Sequence, residues 1–440
     1  MNILGLSLQP KFWLTRSENS QQQTANAAWL MLDKSLRLVI GVTIGIWIAR
    51  YLGVQAFGQL SYAIAFVSLF SAVARLGLDK IVVRDLVRHP DLKDEILGST
   101  FIAKLTGGAV AMGLTLICIR LIEPDDTLTQ TMVSIIAAGM IFQATDTADL
   151  WFQSRVQSKY TVFAKSFAFL LLSLVKVALI LTGAGLLAFA WAALAEIVIA
   201  SIGMLVTFRA VGNPFGKLRA SAARAKQLLA ESWPYLLSGL AIMLYMRIDQ
   251  VMLGKLAGTA EVGLYLAALR LSEAWYIIPT IIVSTLMPAV TRAKSTSLDD
   301  YYLIQKRLFI GLAGIAYLVA IPMTIFSTPL ITLLFGAEYS GAGPVLAIHI
   351  WAALFVFLGV ATSPWVANEG LARYRLYCTA AGAALNIFLN YLLIPGYGAL
   401  GCALATTLSY GFSAWLANAL SSKTRKLFYI QTRALLLGIV

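Results

Sequence analysis

The chain has 440 residues, of which 59% are hydrophobic and only 12% are charged, and its mean hydropathy is +0.79. Soluble domains carry roughly a quarter charged residues, so this composition excludes an ordinary soluble fold. The formal net charge is +13. In a membrane protein such an excess is first a signal of topology, and nucleic-acid binding is not expected.

Apolar stretches long enough to cross a bilayer, about 20 residues each, recur along the whole chain. We therefore predict an all-α polytopic membrane protein with about twelve transmembrane helices. Their expected limits are 26–49, 58–77, 99–121, 128–150, 160–183, 185–208, 233–254, 262–289, 308–328, 343–366, 374–394 and 398–419. The polar N-terminal segment predicts no cleavable signal peptide, and the first span is expected to act as the insertion signal.

Lysine and arginine concentrate at every second boundary between these stretches. With the N-terminus inside, the outer boundaries hold only Arg50, Arg120 and Lys255. Cytoplasmic loops of membrane proteins carry an excess of basic residues. We therefore predict an inner-membrane protein with both termini in the cytoplasm.

The longest basic connection, from Arg209 to Ser232, divides the chain into two sets of six spans. The predicted division is a cytoplasmic segment 1–25, an N-terminal lobe 26–208, a basic linker 209–232, a C-terminal lobe 233–419 and a basic tail 420–440. After the first helix of each lobe comes a similar phrase, RYLGVQAFG ending at Gly58 and GKLAGTAEVG ending at Gly263. A parallel repeat of two six-helix lobes around a central cavity is the expected architecture.

Two segments outside the spans have helical spacing. In IVVRDLVRHPDLKDEIL, which begins at Ile81, the apolar residues Ile81, Val82 and Leu86 predict a cytoplasmic surface helix. The apolar end of Leu427 to Val440 predicts either an interfacial helix or the start of a further span.

Charged side chains inside the spans are the candidate functional residues. Each costs roughly 2.5–3.5 kcal/mol at the bilayer centre on insertion scales, so those that persist usually face a wet interior. The deep basic residues, which are candidates to bind a substrate phosphate, are Arg37, Lys176, Arg247 and Arg270. Interhelical pairing that only fixes packing is the alternative for each of them. Nearer the cytoplasmic ends, Arg75, Lys104 and Lys165 are expected to reach the headgroups by snorkelling.

The acidic candidates for ion coupling are Asp33, Glu196 and Asp249. Asp33 stands four residues before Arg37, a spacing that allows an ion pair on one helix face. Glu196 has the most central position and no obvious basic partner along its own helix, which makes it the first choice. No metal site and no cofactor are predicted, because the two histidines and three cysteines lack ligand spacing.

Three phrases of the sequence resemble bacterial lipid-linked oligosaccharide flippases, the O-antigen and polysaccharide exporters of the multidrug/oligosaccharidyl-lipid/polysaccharide superfamily. They are WLMLDKSLRLVIGVTIGIWIARYLGVQAFGQLSYAIAFVSLFSAVARLGLDKIVVRDLVR, RIDQVMLGKLAGTAEVGLYLAALRLSEAW and IPGYGALGCALATTLSY. The resemblance implies two six-helix lobes around a cationic cavity. It also implies alternating-access flipping of undecaprenyl-pyrophosphate-linked oligosaccharides from the cytoplasmic to the periplasmic leaflet, for lipopolysaccharide or other surface polysaccharide. The implied partners are that substrate, membrane lipids, a polysaccharide polymerase and a chain-length regulator.

Two other functions compete with this interpretation. An ion-coupled drug or small-molecule antiporter of the same superfamily is expected to have an acidic or aromatic cavity, whereas four deep basic residues are present here. A membrane polymerase or ligase of lipid-linked sugars needs catalytic groups outside the membrane. The longest outer connection, about Ser327 to Ala342, offers only Glu338 as a strong acid or base, so an enzyme is not expected.

Overall fold

The computed structural model of the chain describes residues 18–437, with side chains from residue 36 onward except that of residue 215. This part of the chain is built of α-helices joined by short 3-10 turns and loops, and it contains no β-strand. The helices of its first half are α1 Glu18–Arg75, α2 Asp79–Arg88, α3 Lys93–Ile122, α4 Thr127–Ala137, α5 Gly139–Phe142, α6 Asp146–Ser154, α7 Lys159–Leu181 and α8 Leu186–Ala210. Those of its second half are α9 Ala222–Ala257, α10 Thr259–Glu273, α11 Ile277–Thr296, α12 Leu298–Ile325, α13 Ser327–Phe335, α14 Ala342–His349, α15 Ala352–Ala361, α16 Ser363–Asn368, α17 Ala372–Ala414 and α18 Arg425–Leu435.

Within the described residues, ten helical segments are long and apolar enough to cross a membrane. Two of them are broken inside. Gly53 has φ 75° in α1, and Gly398 has φ 52° in α17, a left-handed backbone that glycine adopts without strain. If each broken segment is counted as two crossings, the ten segments correspond to twelve crossings. Each of the twelve predicted spans overlaps one of these crossings. The chain is an all-α, multi-pass membrane protein, as the hydropathy pattern predicts.

The described chain forms two compact units. We call them the N-unit, which comprises residues 18–51 and 59–247, and the C-unit, which comprises residues 52–58 and 248–437. Helix α9 begins inside the predicted 209–232 linker and runs through the boundary at Arg247. The division into lobes at 26–208 and 233–419 stays a prediction.

The predicted surface helix is present in the N-unit as α2. It buries Ile81, Val82 and Leu86 and contributes them to an apolar core with residues of α3, α6 and α8. The segment before α9 contacts α3. The backbone N–H of Arg219 donates a hydrogen bond to the carbonyl of Asp94 at 3.1 Å. These contacts hold α2, α3 and the segment before α9 together within the N-unit.

The C-unit has its own core, built from α11, α12, α15 and α18. Helix α18 has 11 residues, which is too short to cross a bilayer. It is held by Gln431, whose amide donates to Thr362 Oγ1 at 3.1 Å and to the Ala414 carbonyl at 3.0 Å. The C-terminal segment therefore forms a docked amphipathic helix and not the start of a further span within the described residues.

Candidate functional site

A polar cavity of about 480 Å³ lies within the N-unit. Its walls come from the second part of α1, from the α4–α5 region, from α8 and from α9. The hydrophilic side chains that line it are Ser68, Ser71, Arg75, Gln143, Glu196 and Arg247. Two of the residues singled out in the sequence, Glu196 and Arg247, therefore lie in one cavity.

Glu196 is held by an ion pair across the α7–α8 hairpin. The ammonium of Lys176 donates to Glu196 Oε2 at 2.7 Å. The two side chains keep 19% and 27% of their surface exposed, so the pair is only partly removed from solvent. The basic partner that Glu196 lacks along its own helix is thus supplied by the neighbouring helix. The pair brings together Lys176 and Glu196, which were assigned separate roles from the sequence.

Arg75, which was expected to reach the headgroups by snorkelling, is exposed and lies on the cavity wall. Ser68, Ser71 and Arg75 stand at positions i, i+3 and i+7 of α1 and form one polar face toward the cavity. That spacing is the signal in the sequence that could have identified Arg75.

Lys104, for which snorkelling was also expected, is buried. Its side chain is 1% exposed, and its ammonium donates to Asp79 Oδ1 at 2.7 Å. Lys165 is likewise paired, with Asp146 at 2.8 Å and Asp149 at 3.2 Å. These groups are neutralised within the N-unit and leave the charge of the cavity to other residues.

The cavity carries an excess of positive charge. Its charged lining residues are Arg75, Arg247 and Glu196, of which two are positive and one is negative, and Glu196 is paired with Lys176. Guanidinium groups bind phosphate oxygens by paired, charge-assisted hydrogen bonds. In addition, the buried Oε1 of Gln143 has no hydrogen-bond partner among the described residues. Such an acceptor can receive a hydroxyl of a ligand, and hydroxyls are the main polar groups of sugars.

Arg37 does not line this cavity. Its Nη2 lies 3.5 Å from Ser166 Oγ, and its guanidinium stacks over the Phe169 ring at 5.0 Å. Both partners belong to α7, so Arg37 joins α1 to α7 on another side of the N-unit. Asp33, the acidic residue predicted to pair with it, lies outside the residues whose side chains the structure describes.

Arg270 lies in the C-unit, on α10. Its guanidinium is 5.1 Å from the centre of the Phe57 ring, and Phe57 in turn packs edge-on against Tyr339. Among the described side chains, no carboxylate lies within ion-pair distance of Arg270. Burial raises the pKa of Tyr339, which lies between two candidate spans, so its hydroxyl remains protonated near neutral pH.

Asp249, the acidic candidate of α9, belongs to a buried polar network in the C-unit. The hydroxyl of Tyr265 donates to Asp249 Oδ2 at 2.7 Å and lies 3.3 Å from Thr406 Oγ1. Asp249 and Thr406 are 6% and 3% exposed. A carboxylate so deep in a membrane protein is costly and is usually functional.

Two asparagines of α17 extend this network. The amide of Asn386 donates to Thr406 Oγ1 at 3.4 Å, and that of Asn390 donates to Asn386 Oδ1 at 2.9 Å. The Oδ1 of Asn390 is buried and accepts no hydrogen bond from the described residues. Neither asparagine was predicted from the sequence, although two amides four residues apart within an apolar span are a visible signal. Carboxylate, amide and hydroxyl oxygens together suit a hard cation.

The sequence matches a known protein family and a curated relative. The family model described as "Polysaccharide biosynthesis protein" matches residues 24–294. The chain is 25% identical over 390 residues to the probable flippase AglR of Haloferax volcanii, an alignment that covers 86% of this chain and 79% of AglR.

Two solved structures share the fold. An inward-facing multidrug resistance transporter of the MATE family, in the MOP superfamily, superposes with a TM-score of 0.72 at 14% identity and covers 91% of this chain and 95% of its own. The lipid II flippase MurJ, in an inward closed conformation, gives a TM-score of 0.69 at 15% identity and covers 93% of this chain and 91% of its own. At these identities the likeness concerns the fold alone.

Proposed function

Because this chain belongs to the polysaccharide biosynthesis protein family, whose model matches more than half of it, we propose that it is a flippase of glycan biosynthesis. Its substrate is an undecaprenyl-pyrophosphate-linked oligosaccharide, which it moves from the cytoplasmic to the periplasmic leaflet of a bacterial inner membrane. The flippase named among its relatives supports the class of transport. The observation that carries the proposal is the positively charged cavity of the N-unit.

The cavity suits a sugar pyrophosphate in three respects. Arg75 and Arg247 offer two guanidinium groups to the phosphates. The positive formal charge of the lining residues offsets part of the negative charge of a pyrophosphate, which lowers the cost of bringing that group into the membrane. Gln143 offers an acceptor to a sugar hydroxyl. The same surroundings repel the cationic substrates that a drug antiporter exports.

Transport proceeds by alternating access and involves no covalent chemistry. The glycan pyrophosphate binds in the cavity while the polyprenyl chain remains in the bilayer. Arg270, which was predicted to bind the substrate phosphate, stays a candidate for that role. A polysaccharide polymerase and a chain-length regulator are proposed to receive the exported units, and both termini are proposed to be cytoplasmic.

Complementation of a strain that lacks the gene tests the proposal. Arg247→Ala and Arg75→Ala are expected to abolish surface polysaccharide and to cause lipid-linked glycans to accumulate. Arg247→Lys, which keeps the charge but loses the paired hydrogen bonds, is expected to retain part of the export. Lys306→Ala, an exposed basic residue of α12, is the matched control and should export normally.

Protein levels must be equal in all strains for the comparison to count. Normal export by both Arg75→Ala and Arg247→Ala would refute a phosphate-binding role of the cavity. Normal export by the deletion strain, combined with new drug sensitivity, would favour the antiporter.

Asp249 is proposed to couple transport to a cation, because the network of Asp249, Thr406, Asn386 and Asn390 offers oxygen ligands in a buried position. Asp249→Asn keeps an acceptor for Tyr265 but removes the charge, so it should abolish export while the protein still folds. It should also eliminate any rise in the melting temperature that sodium or a lower pH gives to the wild type. The exposed Asp299→Asn of α12 is the control. Full export by Asp249→Asn would show that this carboxylate does not couple transport.

A further inference from the structure

A second polar cavity, of about 230 Å³, lies in the N-unit between α1, α2 and α9. We call it the α2–α9 cavity. Its hydrophilic lining residues are Ser71, Arg75, Asp79, Lys80, Tyr235 and Ser238. A water molecule takes up about 30 Å³ of the liquid, so the cavity has room for roughly eight waters. That space suits a small polar group such as a single hexose.

The α2–α9 cavity continues the cavity that Arg247 lines. The residues that line both are Ser71, Arg75 and Met243. From α1 to α2, Ser68 lines only the cavity of Arg247, and Asp79 lines only the α2–α9 cavity. Helix α9 runs the opposite way, because Tyr235 lines the α2–α9 cavity and Arg247 lines the other. The two cavities therefore follow each other along the same helices, and Arg75 lies at their junction.

Close contacts hold the walls of the α2–α9 cavity in place. A Cβ atom on Gly77 would lie 2.4 Å from the backbone nitrogen of Leu236, so the turn between α1 and α2 touches the backbone of α9. Asp79 is fixed by its ion pair with the buried Lys104 at 2.7 Å. A cavity that is already formed binds its ligand at a lower cost in ordering its own side chains.

The lining side chains combine hydrogen-bond acceptors, donors and an aromatic ring. Asp79 keeps 48% of its side chain exposed, and its Oδ2 accepts no hydrogen bond from the described residues. The ammonium of Lys80 lies 5.6 Å from the centre of the Tyr235 ring, and Tyr235 is 42% exposed. A carboxylate repels a phosphate, whereas sugar hydroxyls both donate and accept hydrogen bonds. The apolar face of a sugar ring can also cover an aromatic ring. These groups therefore suit a sugar better than a phosphate.

Arg75 supplies the phosphate-binding group next to this set. Among the described side chains, no carboxylate lies within ion-pair distance of Arg75. Asp146, whose charge interacts with that of Arg75 at longer range, is itself paired with Lys165 at 2.8 Å. Arg75 can bind a phosphate in the cavity of Arg247 while a sugar linked to that phosphate occupies the α2–α9 cavity.

We propose that the α2–α9 cavity binds the sugar that is attached directly to the pyrophosphate. This inference rests on the proposed function and identifies the residues that recognise the first sugar of the glycan. The ring of Tyr235 covers one face of the sugar, and this replaces its contact with Lys80. Lys80 then donates to one sugar hydroxyl, and Asp79 accepts from another.

Binding of soluble lipid pyrophosphates to the purified full-length protein tests this site. The probes are farnesyl pyrophosphate and farnesyl pyrophosphate that carries glucose, galactose or N-acetylglucosamine, and calorimetry in detergent gives each Kd. At least one sugar-bearing probe is expected to bind about tenfold more tightly than the sugarless probe, a ratio that corresponds to 1.4 kcal/mol. Tyr235→Ala should bring that ratio to about one, and Tyr235→Phe, which keeps the ring, should retain most of it. The control is Tyr377→Ala, which removes a tyrosine of α17 that is 68% exposed and lines neither cavity.

Equal affinity of the wild type for all four probes would overturn the proposal, and so would a ratio that Tyr235→Ala leaves as it is. Arg247→Ala separates the sugar site from the phosphate site, because it should weaken the binding of every probe and keep the ratio between them. A protein that prefers the sugar-bearing probe but moves no glycan lipid in liposomes would support the sugar site and contradict the flippase. Movement of glycan lipid without any sugar preference would support the flippase and refute the sugar site.

Discussion

The interactions of single charged residues in this membrane protein depend on the neighbouring helix that each side chain contacts. Lys176 and Glu196 were predicted to act separately, as a phosphate ligand and as an ion carrier, and they form one ion pair across α7 and α8. Lys176 and Glu196 neutralise each other, and Arg75 and Arg247 are the basic residues that line the cavity.

A double-mutant cycle on this pair separates packing from coupling. Glu196→Gln and Lys176→Met should each destabilise the protein by about 1–2 kcal/mol, below the 3–5 kcal/mol of a fully buried pair, because both side chains are partly exposed. The double variant should recover most of that loss, measured as the melting temperature in detergent. If the pair only fixes packing, the double variant also recovers export. Restored stability without export would assign Glu196 a part in coupling.

At the scale of helices, glycines set the closest contacts. The phrases that end at Gly58 and Gly263, noted in the sequence as a weak repeat, pack against each other within the C-unit. A Cβ atom on Gly58 would lie 1.8 Å from the carbonyl oxygen of Thr259, and one on Gly263 would lie 2.3 Å from that of Val54. The side chain of Gln55 adds a hydrogen bond to Thr259 Oγ1 at 2.8 Å. Only glycine permits this approach of α1 to α10.

Gly58→Ala should therefore force α1 and α10 apart. We expect a loss of about 1–3 kcal/mol, typical of overpacking at a rigid backbone contact. The measurement is the melting temperature of the purified protein. Gly314→Ala in α12 is the control, since a Cβ atom there meets nothing within 4 Å and alanine favours the helix. A Gly58→Ala protein as stable as the wild type would contradict the close contact.

For the whole molecule, hydropathy predicted the membrane class and the positions of the candidate spans among the described residues, because crossing a bilayer requires a length and an apolar composition that can be read from the sequence. The resemblance to polysaccharide flippases is confirmed by the family match. The sequence pattern does not show in the same way which helix faces contact each other. The hydropathy pattern does not show that Arg75 lines the cavity or that Arg37 contacts α7. Depth along one helix predicts a cost of burial but not the neighbours that reduce it.

The most direct test of the central claim is flipping of a lipid-linked glycan by the purified protein. A fluorescent undecaprenyl-pyrophosphate oligosaccharide is reconstituted with the protein in liposomes, and a membrane-impermeant glycosidase reports the fraction in the outer leaflet over time. We expect rapid exchange between leaflets with the wild type and exchange near the protein-free rate with Arg247→Ala. If the wild type moved the glycan lipid no faster than empty liposomes under every cation gradient supplied, the claim that this protein is a glycan-lipid flippase would be wrong.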